Sequence, residues 1–340
     1  MRASAEPDKL VEQMLQAIEA DLHGAIESLG EAGGGPLPAM LTHHFGWSSD
    51  GDHRGGKRVR PLLCLLACQA GGGVWRTALP AASSLELIHN FSLVHDDIQD
   101  RSETRRNRPT LWTLWGEPQA INAGDALFAL ARRTSYRLIE AGLDRSTVLE
   151  VQRELDDACL ELTIGQHLDL AFEGRSSVTQ QAYLRMVEAK TASLLAASAV
   201  AGARVAEAPA ASVEAFRSFG RNLGIAFQIF DDVLGIWGDP QVTGKPAGDD
   251  LLSHKISFPV LVGLQHSEDF RELWTSGRTD PPALQSMMQA LAEAGAADRS
   301  REAAQQHSFQ AEEGLSSASP LEPAGQLVRQ LIQDLLQRVR

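Results

Sequence analysis

From residue 8 to residue 339 the apolar residues recur at helical spacing, and the interruptions are short. In residues 8–30 they fall at Leu10, Met14, Leu15, Ile18, Leu22, Ile26 and Leu29, ahead of a Gly33-Gly34-Gly35-Pro36 breaker. The same period predicts helices from about Pro61 to Ala70, then over 79–100, 119–141, 146–172, 179–203, 212–237, 250–265, 281–294 and 322–339. Gly71-Gly72-Gly73, Gly142, Gly174, Pro209 and Gly238-Asp239-Pro240 are the breaks. Residues 47–56 and 101–118 read as polar loops, and the Ser/Glu/Gly-rich 305–320 stretch as a loop or frayed helix. No strand alternation persists, and only 2 Tyr stand among many Ala and Leu. The expectation is an all-α fold: an antiparallel helical bundle with short connections, folded as one domain over residues 1–340.

Charge narrows the function. Lys and Arg number 31 against 44 Asp and Glu, a net charge of −13. Such a chain is a poor general binder of nucleic acid or anionic membrane. An anionic substrate would need metal ions and local cation clusters. Cys64, Cys68 and Cys159 give no disulfide framework or zinc spacing and read as small core residues. The start, Met1 to Glu6, has no apolar signal segment. No uninterrupted apolar run is long enough for a transmembrane segment. The expected location is cytoplasmic.

Two aspartate clusters carry the chemistry: His95-Asp96-Asp97-Ile98-Gln99-Asp100 and Phe227-Gln228-Ile229-Phe230-Asp231-Asp232. Each ends an apolar helical run. A helix turns by about 100° per residue, so Asp96 and Asp100 share a face. Like charges at that spacing repel unless something binds them. Facing clusters of this kind suit Mg²⁺, which takes a few carboxylates plus substrate phosphates. His89 lies two turns before Asp96, and Glu86 one turn earlier still. Arg101, Arg105, Arg106 and Arg108 follow, and Arg is the preferred fork for phosphate oxygens. Upstream, Gly55-Gly56-Lys57-Arg58-Val59-Arg60-Pro61 joins a glycine turn to three cations before a helix. Downstream, Gly165-Gln166-His167-Leu168-Asp169 and Lys190-Thr191 place polar groups in apolar helices. A buried Lys190 needs an anionic partner. Gly244-Lys245-Pro246, Asp249-Asp250-Leu251 and Lys255 close the series, with Lys245 in a turn that suits a lid. Each motif alone also fits a solvated helix end or a basic loop. His43 and His44 read as packing or surface residues.

In order, Gly-Gly-Lys-x-x-Arg-Pro, His-x6-Asp-Asp-x-x-Asp, Arg-Arg, Gly-Gln-x-x-Asp, Lys-Thr, Phe-Gln-x-x-Asp-Asp and Gly-Lys-x-x-Gly-x-Asp-Leu resemble the trans-isoprenyl diphosphate synthase, or polyprenyl synthetase, family. The resemblance spans about residues 55 to 260. It implies an isoprenoid-synthase-type bundle around a deep central apolar cavity, working as a homodimer. It implies that isopentenyl diphosphate is condensed with an allylic diphosphate. Asp96, Asp97, Asp100 and Asp231 would hold Mg²⁺, three ions per active site. Arg105, Lys190, Thr191, Gln228, Lys245 and Lys255 would clamp the allylic diphosphate. Lys57, Arg60, His89 and Arg106 would hold isopentenyl diphosphate. Ile88, Phe91 and Ser92 would floor the cavity, with Phe91 suggesting a geranylgeranyl (C20) product and farnesyl (C15) as the alternative.

Three positions depart from that pattern. Gly235 replaces the last Asp of the second motif, with Asp232 and Asp239 expected to compensate. Asn107 replaces the Gly after Arg-Arg, and Asn tolerates positive φ. Trp112 replaces a His. The rival readings are a terpene cyclase and a non-catalytic synthase subunit. A cyclase would not need the second diphosphate site at Lys57, Arg60 and His89.

Overall fold

The structure, a computed structural model, describes residues 5–31, 35–47, 56–239 and 247–336. Parts of the expected 47–56 loop, Gly55, the Gly244-Lys245-Pro246 turn and the 337–339 end of the last helix lie outside these residues. The described chain forms two compact units. The first comprises Met1–Asp156, Ser198–Val213 and Ser319–Val328; the second comprises Asp157–Ala197, Glu214–Ala318 and Arg329–Arg340.

The first unit is built on α4 (Leu79–Gln99). It packs against α1 (Ala5–Glu31), α3 (Val59–Ala70) and α6 (Glu117–Ser135). Pro80 stands in the first turn of α4, where a missing N–H costs nothing. Leu85, Leu87 and Ile88 are buried, and so are Glu86, Asn90 and Asp97. On α1 the residues Met14, Ile18, Leu22 and Ile26 recur every four positions and are all buried, as their spacing predicts.

Polar residues also tie this unit together. Arg58 is 3% exposed. Its Nη1 donates to Glu86 Oε1 at 2.8 Å, and its Nε donates to Glu19 Oε1 at 2.6 Å. Its guanidinium also lies over the Phe45 ring. This basic residue of the upstream motif is therefore a joint between α1, α3 and α4.

The second unit gathers α8 (Gln180–Val187), α11 (Asp249–Leu252), α12 (Phe258–His266), α13 (Glu268–Thr275), α14 (Pro281–Glu293) and α15 (Ala296–Ser317). It also takes the larger parts of α7 (Arg145–Phe172) and α10 (Ala210–Trp237). Tyr183, Ile229, Ile236, Phe258, Phe270, Trp274, Met287 and Leu291 form its core. Burying Phe270 and Trp274 contributes about 1.5–3 kcal/mol each on transfer alone. The remaining helices are α5 (Leu111–Trp115), α9 (Ser193–Val205) and α16 (Ala324–Leu336).

Several expectations are corrected. The stretch 305–320 is mostly helix: α15 runs unbroken to Ser317, because small residues such as Ala304, Ala311 and Gly314 bury one face. The single helix expected over 250–265 is broken between Leu252 and Phe258, where His254 takes φ 51° and Pro259 opens the next helix. The reading missed α2 (Leu37–Phe45) and α13. Ser267 caps α13, accepting from Phe270 N at 3.1 Å. A small hairpin, β1 (Thr104–Arg105) with β2 (Arg108–Pro109), sits where only a loop was expected.

The Arg58 joint gives a stability prediction. Arg58→Ala takes the ion-pair partner from buried Glu86, leaving it the Asn90 amide as donor, and should cost about 3–5 kcal/mol. Urea unfolding of the variant beside the parent measures it. A loss below about 1 kcal/mol would show that the joint is dispensable.

Candidate active site

In the first unit, α4 sorts its acids by face. Glu86, Asn90 and Asp97 recur at four and seven residues on a buried stripe. Asp96 is partly buried and Asp100 exposed. Asp97 is 2% exposed, and its Oδ1 accepts from both Nε and Nη2 of Arg105 at 2.8 Å. Its carboxyl pKa is raised by burial, against the pull of Arg105. The sequence assigned Asp97 to metal with its neighbours. The structure turns it inward and ties it to an arginine.

The helix ends in a Schellman motif. Ser102 N donates to Asp97 O at 3.0 Å and Arg101 N to Ile98 O at 3.3 Å. Arg101 takes the left-handed position at φ 54° that Gly usually fills. The hairpin follows at once. Its two central residues, Arg106 (φ 53°) and Asn107 (φ 60°), are both left-handed, as a type I′ turn requires. Asn107 therefore does the work expected of it in place of Gly. Trp112 donates from its indole N–H to Ser102 O at 2.8 Å and clips the loop to α5.

A cation cluster surrounds this loop. Arg60 Nη1 lies 3.2 Å from His89 Nε2. A guanidinium can only donate, so Nε2 must accept and the imidazole is neutral. Burial, with Arg60 and Arg106 nearby, holds the His89 pKa far below its usual value. Burial also lowers Arg60 to about 10. The Arg106 guanidinium packs on Gly56, 2.8 Å from where a Cβ there would stand. Lys57 is exposed beside it.

His44, read as a packing residue, is buried in this same cluster. Burial and the charges of Arg105, Arg106 and Arg108 lower its pKa to about 3. Among the described residues, Arg60 Nε is buried without a hydrogen-bond partner, while His44 has the Asn90 amide as a neighbour. Only tertiary packing shows this; the His-His pair in the sequence carried no signal. Concentrated cations with a buried guanidinium donor unsatisfied suit an oxyanion. Arg108 has a different role, donating to the carbonyls of His43 and His44 at the end of α2.

In the second unit, Lys190 and Thr191 sit on a π turn, Glu188–Ala192, between α8 and α9. Single π turns often mark functional positions. The turn is met at close range by Gly165, whose Cβ would stand 2.2 Å from Lys190 N. No side chain fits there, which explains the Gly of Gly-Gln-x-x-Asp. The Asp of that motif, Asp169, pairs with Lys190 Nζ. This is the anionic partner that a buried Lys190 demanded.

The second cluster repeats the division seen in the first. Asp231 is exposed and Asp232 is buried. Asp232 accepts from the Tyr183 hydroxyl, from Gln228 Nε2 at 3.0 Å and from Phe258 N at 2.8 Å. Thr191 Oγ1 donates to Gln228 Oε1 at 2.7 Å, so a chain of hydrogen bonds joins the π turn to α10. Burial raises the Asp232 pKa to about 7, against the pull of Lys255. Burial lowers Lys255, but Asp250, Asp169, Asp232 and Asp231 outweigh it and hold the ammonium charged. Tyr183 was missed by the sequence reading, because a lone Tyr on an amphipathic helix looks like core.

Among the described residues, no group of three or more His, Cys, Asp or Glu side chains forms a metal cage.

The sequence model described as polyprenyl synthetase matches residues 50–293. The chain belongs to the polyprenyl synthetase family. It is 46% identical over 234 residues to a (2E,6E)-farnesyl diphosphate synthase of Mycobacterium tuberculosis (strain ATCC 25618 / H37Rv), covering 67% of this chain and 63% of that protein. It is 42% identical over 276 residues to a geranylgeranyl diphosphate synthase of the same strain, covering 78% and 77%. The chain thus spans just under two thirds of the length of the farnesyl diphosphate synthase. A crystal structure of polyprenyl synthetase from Streptomyces coelicolor A3(2) superposes with a TM-score of 0.85 at 33% identity, covering 98% of this chain and 99% of the other. That of geranylgeranyl pyrophosphate synthetase from Pyrococcus horikoshii Ot3 gives 0.86 at 31% identity, covering 98% of each. The chain therefore has the all-α isoprenoid synthase fold.

The depressed histidines set a pH dependence. In the unfolded chain His44 titrates near 6.5, and in the folded chain near 3. Between these values the unfolded state binds the extra proton. The His44 contribution to stability is thus complete above about pH 6.5 and is lost as pH falls towards 3. The slope is about 1.4 kcal/mol per pH unit for each such group. Thermal midpoints should fall on going from pH 7.5 to 5.5, and less steeply in His44→Asn. Parallel slopes for the two proteins would remove His44 from the cause.

Proposed function

We propose that this chain is a short-chain trans-prenyl diphosphate synthase, condensing isopentenyl diphosphate with an allylic diphosphate. The observation that carries the reading is the cation cluster of Arg60, His89, Arg105 and Arg106, with buried Arg60 Nε unsatisfied. Family membership and the names of the relatives support it.

On this reading Lys57, Arg60, His89 and Arg106 bind the diphosphate of isopentenyl diphosphate. Neutral His89 accepts from Arg60 and keeps its fork aimed. Arg105, fixed by Asp97, meets the allylic diphosphate. Asp96, Asp100 and Asp231 would hold magnesium, and Asp97 is kept as the group that positions Arg105. Bound magnesium supplies charge neutralisation for the departing diphosphate. Lys190, Thr191, Gln228 and Lys255 take the diphosphate roles that the family implies, as does Lys245. The allylic C–O bond breaks, the isopentenyl double bond attacks the cation, and a proton leaves to the diphosphate. Fixed cations aimed at the developing charge lower that barrier. An apolar cavity keeps water from the carbocation.

Product length is read as C20. Ile88 is buried, and Phe91 packs on Phe128 of α6 with ring centroids 5.4 Å apart, which supports reading them as the floor. Ser92 is tied back to His89 O and leaves space. The 46% identity to a farnesyl diphosphate synthase favours C15 as the second reading. A homodimer in the cytoplasm completes the proposal. Among the described residues no helix is long and apolar enough to cross a membrane.

Incubation with isopentenyl diphosphate, Mg²⁺ and C5, C10 or C15 primers should give a longer prenyl diphosphate, ending at C20. No elongation of any primer would sink the reading. Chelator should stop turnover. Asp96→Ala should lower kcat by roughly 10²–10³, the scale of losing a group that stabilises transition-state charge. Phe91→Ala should lengthen the product, and an unchanged product would place the floor elsewhere.

A further inference from the structure

Lys255 is carried by a turn, and that turn is built against residue preference. The short helix α11 ends in a Schellman motif, with Lys255 N donating to Asp250 O at 2.9 Å and His254 N to Leu251 O at 3.3 Å. The left-handed residue of such a motif is usually Gly, which has no Cβ to clash. Here it is His254, at φ 51°. Among the described residues, seven other than Gly take positive φ, and five of them stand in the cation-bearing segments of the site: Arg58, Arg101, Arg106, Asn107 and His254. Strained backbone persists only where its surroundings over-determine it. Three contacts do so around His254. Its carbonyl accepts from Gly174 N, just past α7, at 2.9 Å. Its ring packs on Trp274 of α13, with centroids 4.9 Å apart. Beyond Lys255, Phe258 N is fixed on Asp232 Oδ2 at 2.8 Å. Trp274 is a firm seat, being 2% exposed and stacked in turn on Phe270.

We propose that His254 is a positioning residue for Lys255, its ring on Trp274 locking the turn that presents the ammonium. Gly at 254 would make the same turn with less strain, but would leave it free to swing. The imidazole is the extra attachment, and the residue it steadies is the next one in the chain. His254 Nε2 and Trp274 Nε1 are buried without a hydrogen-bond partner among the described residues. The contact is thus one of ring on ring, and another aromatic ring would lose no bond at Nε2.

The proposal rests on the prenyl-transfer reading for the role of Lys255 but not for the turn. The full chain is compared with His254→Gly, which relaxes the backbone and deletes the ring, and with His254→Phe, which keeps a ring on Trp274. Amide hydrogen exchange over residues 251–258 is measured without ligand. KM is measured for an allylic primer and for isopentenyl diphosphate. His254→Gly should speed exchange at the Lys255 and Phe258 amides. It should raise KM for the allylic primer about tenfold, within the range of coupling between residues in contact. KM for isopentenyl diphosphate should stay parental, because Lys255 is assigned to the other diphosphate. His254→Phe should match the parent in all three. Parental exchange in His254→Gly would overturn the proposal, as would an unchanged allylic KM or an equal rise in both KM values. A His254→Phe chain as impaired as His254→Gly would overturn it too, since the ring would not be the cause. A parent that elongates no primer would count against the prenyl-transfer reading. The exchange rates would still decide whether the ring holds the turn.

Discussion

The hydrogen bonds onto two buried carboxylates hold the functional groups in place. Asp97 anchors Arg105 from the end of α4. Asp232 gathers Tyr183, Gln228 and Phe258 N, and through Gln228 reaches Thr191. A buried carboxylate without partners would be costly, so each demands its donors and thereby fixes their positions. In both pairs the inner acid is buried and structural, and the outer acid, Asp96 or Asp231, is the more exposed one. Helical geometry enforces this. Adjacent residues differ by about 100° around the axis, so a doublet at a buried helix end places one acid inward and one outward.

Cations in the first unit follow the same economy of roles. Arg58 is neutralised by Glu19 and Glu86, Arg105 by Asp97, and Arg108 by backbone carbonyls. Arg60 and Arg106 have no comparable carboxylate pairing among the bonds described. Their histidine neighbours are kept neutral and cannot compete for an anion. The positive potential is thereby concentrated around Arg60 and Arg106, with Glu86 the acid that acts on both, on a chain whose net charge is −13.

Most of this architecture was legible in the sequence where helical period was strong. The long helices α1, α4, α7 and α10 fall within a few residues of the expected bounds. The short α2 and α13 were missed, because nine and eight residues carry too little periodic signal. The 305–320 stretch misled because Ser, Gln and Glu dominate it, while its buried face uses small residues that look neutral. Site residues were legible through their motifs, but their orientation was not. That Asp97 faces inward, that His44 joins the basic cluster and that His254 packs on Trp274 are facts of packing. Periodicity on one helix does not reveal what a neighbouring element brings to it.

The π turn at Glu188–Ala192 has a consequence for how this chain tolerates insertion and deletion. A π turn holds one more residue than an α turn closing the same gap. Removing one residue there would let an ordinary α turn span the same gap and would keep the flanking helices close to their present phase. What such a deletion takes away is local: the widened turn on which Lys190 meets Asp169 and Thr191 meets Gln228. The segment is thus permissive for the length of the chain and strict for the polar groups it presents.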